Sequence, residues 1–178
     1  RYLNMVADAM GSHRMFGMLQ PDASRPDQPE AVYCTGCAGR ITTYQETPDG
    51  RIELILTGVC RFNIHQELAG TRGYRIVVPD WEPYRTDYVE PGMHSVEHRD
   101  RLIYLLKNYF NTTRLETDWK TVMRIPPDRL VNTLTTLLPL SGLEKQAILE
   151  AVSPQERVDT LISALEMQVH EPPATPRH

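Results

Sequence analysis

Arg40-Ile41-Thr42-Thr43-Tyr44-Gln45-Glu46-Thr47-Pro48-Asp49-Gly50-Arg51-Ile52-Glu53-Leu54-Ile55-Leu56-Thr57 decides how the first half of this chain folds. Before the proline, Ile41, Thr43 and Gln45 alternate with Thr42, Tyr44 and Glu46. After the glycine, Ile52, Leu54 and Leu56 alternate with Glu53 and Thr57, with Ile55 the exception. A period of two predicts strands. Pro48-Asp49-Gly50 predicts the turn between them, because proline presets φ and glycine accepts a positive one. The stretch therefore reads as a β-hairpin.

The same signal extends outward. Val32 to Thr47 is rich in β-branched and aromatic residues. Gly58 predicts a bulge or corner, and Val59 to Leu68 resumes with Phe62, Ile64 and Gln66 on one face. Phe16 to Gln20 reads as a short strand, followed by a polar loop from Pro21 to Glu30. Tyr74 to Val78 reads as a further strand, stopped by Pro79. Tyr2, Met5, Val6 and Ala9 have helical spacing and predict a short helix ending at Gly11. Strands at this spacing suggest a barrel or sandwich. Residues 79–92 read as a connector anchored by Trp81, Tyr84 and Tyr88.

Beyond Gly92 the period changes to 3.6. Leu102, Leu105, Leu106, Tyr109 and Phe110 form one apolar stripe. Leu115, Trp119, Val122 and Met123 form a second, and Leu130, Leu134, Leu137 and Leu138 a third. Ser141 with Glu144, and Ser153 with Glu156, are capping boxes that open two more helices. The second carries Val158, Leu161, Ile162, Leu165 and Val169 on one face and ends at Glu171-Pro172-Pro173. The fold class is α+β: a β-barrel-like lobe over residues 1–90, a helical bundle over 91–171, and a loose tail over 172–178.

The chain has 178 residues, a net charge of −4, 40% hydrophobic and 24% charged residues. That is the composition of a folded domain. No run of about 18 apolar residues predicts a membrane span. Neither half carries a basic excess, with 9 basic and 12 acidic residues in 1–90 and 10 and 11 in 91–178, so nucleic acid is not an expected partner. Three cysteines make an odd number and no signal peptide is visible, which favours a reducing cytoplasm.

Few residues suggest chemistry. Cys34-Thr35-Gly36-Cys37 is a C-x-x-C, but zinc needs four ligands and only Cys60, with His65, could complete the set. His94 and His98 are four apart without an H-E-x-x-H pattern. P-loop, G-x-G-x-x-G and G-x-S-x-G motifs are absent. No cofactor is expected. Among the methionines and aromatics, Met15, Trp81, Tyr84 and Tyr88 are candidate contacts for a protein ligand.

Several short motifs occur in a telling order. Arg1-Tyr2-Leu3-Asn4-Met5-Val6 resembles the tail of a "-FEPRY--M-" segment. Phe16-Gly17-Met18, Gly36-Cys37-Ala38-Gly39-Arg40-Ile41, Asp49-Gly50-Arg51, Leu56-Thr57-Gly58 and Arg61-Phe62 follow. Leu143 to Glu150 and Glu156-Arg157-Val158, with Leu161, close the series. Together they resemble the N-terminal, substrate-binding domain of the Lon ATP-dependent proteases, from Arg1 to about Gln168.

The resemblance implies a small PUA-like β-lobe followed by helices. It also implies a role in recognising unfolded or degradation-tagged proteins, with a separate protease or chaperone as a further partner. Family strands that precede the "EPRY" segment have no counterpart here. The chain reaches His178 with neither an ATPase motif nor a Ser/Lys protease domain. The expected protein is thus non-catalytic, a stand-alone form of the domain or a fragment, and the tail from Pro172 favours the former. Two rival readings are a metal- or thiol-dependent protein using Cys34, Cys37 and Cys60, and an RNA-binding PUA-like module, which the negative charge disfavours.

Overall fold

A computed structural model describes residues 1–88, 99–113 and 116–170. The Pro91-Gly92 break, Met93, the His94/His98 pair, Leu115 and the segment from Glu171 onward lie outside the described residues, as does the side chain of Val169. The chain divides into two compact units, Arg1–Glu90 and Pro91–His178.

The first unit opens with helix α1 (Tyr2–Met10), whose Val6 and Ala9 are buried. Asp8 on α1 accepts from the Tyr74 hydroxyl at 2.6 Å and pairs with Arg72 at 3.0 Å, and Asn4 donates to the Arg72 carbonyl. These bonds hold the helix on the loop before the last strand. Four antiparallel strands then run in chain order across one sheet: β1 (Met15–Pro21), β2 (Val32–Glu46), β3 (Ile52–Leu68) and β4 (Ile76–Asp80).

The hairpin forms as the alternation demands. β2 and β3 pair from Thr35 with Asn63 out to Glu46 with Ile52. Gly50 turns the chain with φ 80°, a conformation that favours glycine. The bulge expected at Gly58 falls at the next residue: Val59 has no partner between Gly58, opposite Gly39, and Cys60, opposite Ala38. Because a bulge bends a strand without ending it, β3 continues for 17 residues.

One expectation needs correction. The last strand runs through Pro79 to Asp80, not from Tyr74 to Val78. β4 is an edge strand among the described residues, and an edge tolerates a residue that lacks an N–H. Within the connector, Glu82–Tyr88 forms a 3-10 helix kinked at Tyr84.

The second unit is helical: α2 (Arg99–Thr113), α3 (Trp119–Arg124), α4 (Pro127–Leu137), α5 (Gly142–Glu150) and α6 (Pro154–His170). Its core joins Leu102, Ile103, Leu106, Leu130, Val131, Leu134, Val158, Leu161 and Leu165, with Phe110, Trp119 and Val122 packed against them. Both capping boxes form. Ser141 Oγ accepts from Glu144 N at 3.2 Å while Glu144 Oε2 accepts from Ser141 N at 2.7 Å. Glu156 N donates to Ser153 Oγ at 3.1 Å, and Ser153 N donates back to Glu156 Oε2 at 3.0 Å.

Two members of the predicted stripes turn outward. Leu137, the last residue of α4, is 74% exposed, and Met123 of the six-residue α3 is half-exposed. Val131 takes the core position instead, so α4 packs through Leu130, Val131, Leu134 and Leu138.

Candidate functional site

The middle of β3 organises the first unit. β4 pairs with β3 only from Asn63 onward, and among the described residues no strand pairs with the preceding edge of β3. The 3-10 helix covers part of it. Asp87 accepts from the backbone N of Arg61 at 3.0 Å, in the place of a strand carbonyl. Its two oxygens also take Arg61 Nε at 2.9 Å and Nη2 at 2.8 Å. Arg61 is 5% exposed, so this bidentate pair is well shielded from water. The guanidinium also lies 4.3 Å from the centre of the Tyr84 ring, a cation–π contact.

The four residues singled out from the sequence take different places. Tyr84 is buried at 3% exposure, with its ring on Arg61 and its hydroxyl 3.4 Å from Thr35 Oγ1. It therefore supports the site from beneath and offers no surface to a ligand. Trp81 is partly exposed and packs on Phe62, with ring centres 5.4 Å apart. Tyr88 is 59% exposed, and its hydroxyl is bonded to the Cys60 thiol, the main cause of its raised pKa. Met15 is partly exposed on β1, beside the Arg40 guanidinium.

Strand register sets out the face to which Trp81 and Tyr88 attach. Cys60 and Phe62 are two residues apart on β3 and so point the same way. Ala38 lies opposite Cys60, and Gly17 lies opposite Ala38. Gly17 shares its face with Met15, two residues away. A Cβ at Gly17 would stand 2.7 Å from Phe62 Cζ, so the missing side chain is what lets that ring cross to β1. Trp81 and Tyr88 thus border Phe62 and Cys60, while Met15 lies on the same face of the sheet. The sequence could not reveal this face, because its parts lie on separate strands and on the 3-10 helix.

The cysteines do not form a reactive set. Cys34 is exposed and its thiol donates to the Ile64 carbonyl at 3.5 Å, whereas Cys37 is partly buried and its thiol donates to the Ala38 carbonyl at 3.5 Å. All three thiols are free. Burial raises the pKa of Cys37 and of Cys60, and the Tyr88 hydroxyl only partly offsets it at Cys60. Raised thiols are poor nucleophiles. Among the described residues no three His, Cys, Asp or Glu side chains gather as a metal site, and no helix is long and apolar enough to cross a membrane.

Comparison with known proteins places this architecture. The chain is 29% identical over 181 residues to the Lon protease of Heliobacterium modesticaldum, covering 96% of this chain and 21% of that protein. It is 29% identical over 150 residues to the Lon protease of Brevibacillus choshinensis, covering 82% and 18%. The chain thus spans about a fifth of the length of the curated relatives it matches. Among solved structures, a Lon N-terminal domain protein from Xanthomonas campestris superposes with a TM-score of 0.66 at 20% identity, over 92% of this chain and 83% of the other. The N-terminal domain of the Mycobacterium avium complex Lon protease gives 0.57 at 18% identity, over 90% and 82%. Both share the α+β fold. Residues 1–167 match the family model of the ATP-dependent protease La (LON) substrate-binding domain, and the chain belongs to that family.

Proposed function

We propose that this chain is a non-catalytic recognition module that binds unfolded or degradation-targeted polypeptides for a proteolytic system in the cytoplasm. Membership in a substrate-binding family carries the reading. The placement of Trp81 and Tyr88 beside Phe62 and Cys60, with Met15 partly exposed on the same face of the sheet, supports it, because these side chains offer adaptable and aromatic surface. Short apolar segments bury little area and lose freedom on ordering, so affinity for any one segment is weak. Recognition without chemistry leaves cleavage to another domain or protein.

The test is a Trp81→Ala/Tyr88→Ala double variant, titrated with a fluorescein-labelled protein held unfolded by reduction and carboxymethylation. Affinity falls by about tenfold if these rings are hot spots. Unchanged affinity in a folded double variant would remove them from the binding surface.

A further inference from the structure

Trp81, Tyr84 and Asp87 recur at a spacing of three, the period of a 3-10 helix, and each reaches Arg61-Phe62 of β3. Arg61 and Phe62 pair in unbroken register with Cys37 and Gly36, so alternation turns their side chains to opposite faces of the sheet. Trp81 packs on the Phe62 face. There the Cys60 thiol also meets the Tyr84 carbonyl, at 3.6 Å, and the Tyr88 hydroxyl. The Tyr84 ring lies on the other face, over the Arg61 guanidinium. Its hydroxyl stands beside Thr35, which donates to Asn63 Oδ1 at 2.6 Å. Asp87 takes the same guanidinium and the Arg61 N–H. The 3-10 helix therefore straddles β3, with Trp81 and Tyr88 on one side and the Arg61 side chain on the other.

A buried ion pair is a poor way to gain stability, because apolar residues of similar volume often hold a fold as well or better. What this pair supplies is geometry. A guanidinium presents a planar fork that takes both carboxylate oxygens in one orientation and stacks on a ring at the same time. Both contacts come from one side chain here, so Tyr84 and Asp87 are fixed together. Trp81 lies one helical period before Tyr84, and Tyr88 directly follows Asp87.

We infer that Arg61 is the positioning residue of the recognition face: acting through Asp87 and Tyr84 from the far side of the sheet, it sets where Trp81 and Tyr88 stand without itself touching a polypeptide. The inference rests on the polypeptide-binding reading and adds to it the residue that fixes the arrangement of the rings.

The experiment uses the full chain with Trp119→Phe as parent, which leaves Trp81 as its one tryptophan. On that background Arg61→Met with Asp87→Asn removes both charges, keeps apolar volume beneath Tyr84, and leaves an amide oxygen to accept from the residue-61 N–H. Thermal midpoint, quenching of Trp81 emission by iodide, and affinity for the carboxymethylated unfolded protein are compared with the parent. The midpoint is expected to move little, the quenching constant to rise about twofold, and affinity to fall about fivefold. A midpoint that falls while Trp81 stays shielded reduces Arg61 to a prop for the fold and overturns the inference. So do unchanged quenching and affinity in a folded variant. Arg61→Lys keeps a charge for Asp87 but not the fork, and is expected to lose about threefold in affinity with the fold intact. Full affinity in this variant also overturns the inference and leaves the polypeptide-binding reading standing. Failure of the parent chain to bind overturns both.

Discussion

The two units are stabilised by different means. The helical unit buries a leucine-rich cluster, with Leu102, Leu106, Leu130, Leu161 and Leu165 each at 1% exposure or less. The β unit buries small and aromatic residues such as Ala38, Cys60, Phe62 and Tyr84 beside polar groups, among them Asp22, Thr35 and Arg61. Fewer apolar side chains are buried among the described residues of the β unit, and directed hydrogen bonds hold its covering elements. The β unit thus depends more on polar geometry, while the helical unit depends on packing volume.

The largest effect expected from that contrast is in the helical core. Leu161→Ala removes a side chain with no exposed surface and is expected to destabilise the helical unit by about 4 kcal/mol. Chemical denaturation followed by helical circular dichroism checks it. A loss under about 1 kcal/mol would mean the cluster is loosely packed and the contrast is overstated.

Next in size is the β unit's ion pair. Asp87→Ala removes the carboxylate from the buried Arg61 guanidinium and from its backbone N–H, and is expected to cost the β unit about 3 kcal/mol. Amide exchange along β3 reads this directly. The same change should leave protection in α2 and α6 near its original level, and equal loss in both units would break the comparison.

The smallest effect is shared by the two units. Asp22 accepts from the Ser24 hydroxyl and Asp118 from the Thr121 hydroxyl, both at 2.6 Å. These hydroxyls are the main reason each carboxyl sits below its ordinary value of 3.8. A carboxylate with a depressed folded pKa stabilises fully above its unfolded value and loses that contribution as pH falls through the folded one. The thermal midpoint is therefore expected to be flat down to about pH 5 and to decline below about pH 4. Asp118→Asn should flatten the helical unit's share of that decline and leave the β unit's share in place.

Much of the architecture was legible because its signals are local. The hairpin announced itself through alternation around Pro48-Asp49-Gly50, and the capping boxes through Ser141 with Glu144 and Ser153 with Glu156. The rest depends on contacts between distant residues. Nothing near Arg61 signals that an aspartate 26 positions later will hold it buried. Pro79 reads as a stop until β4 is known to be an edge strand. The aromatic group at residues 81–88 stood out by residue type, but the kink at Tyr84 decides that this ring turns inward while Tyr88 stays exposed. Periodicity along one segment cannot report a face assembled from β1, β2 and β3.

The most direct test of the central claim is a titration of the intact chain into the fluorescein-labelled, carboxymethylated polypeptide, with the same protein in its folded form as control. Saturable binding to the unfolded form alone is the predicted result. Equal binding to both forms, or binding to neither, would contradict a module that recognises unfolded polypeptides.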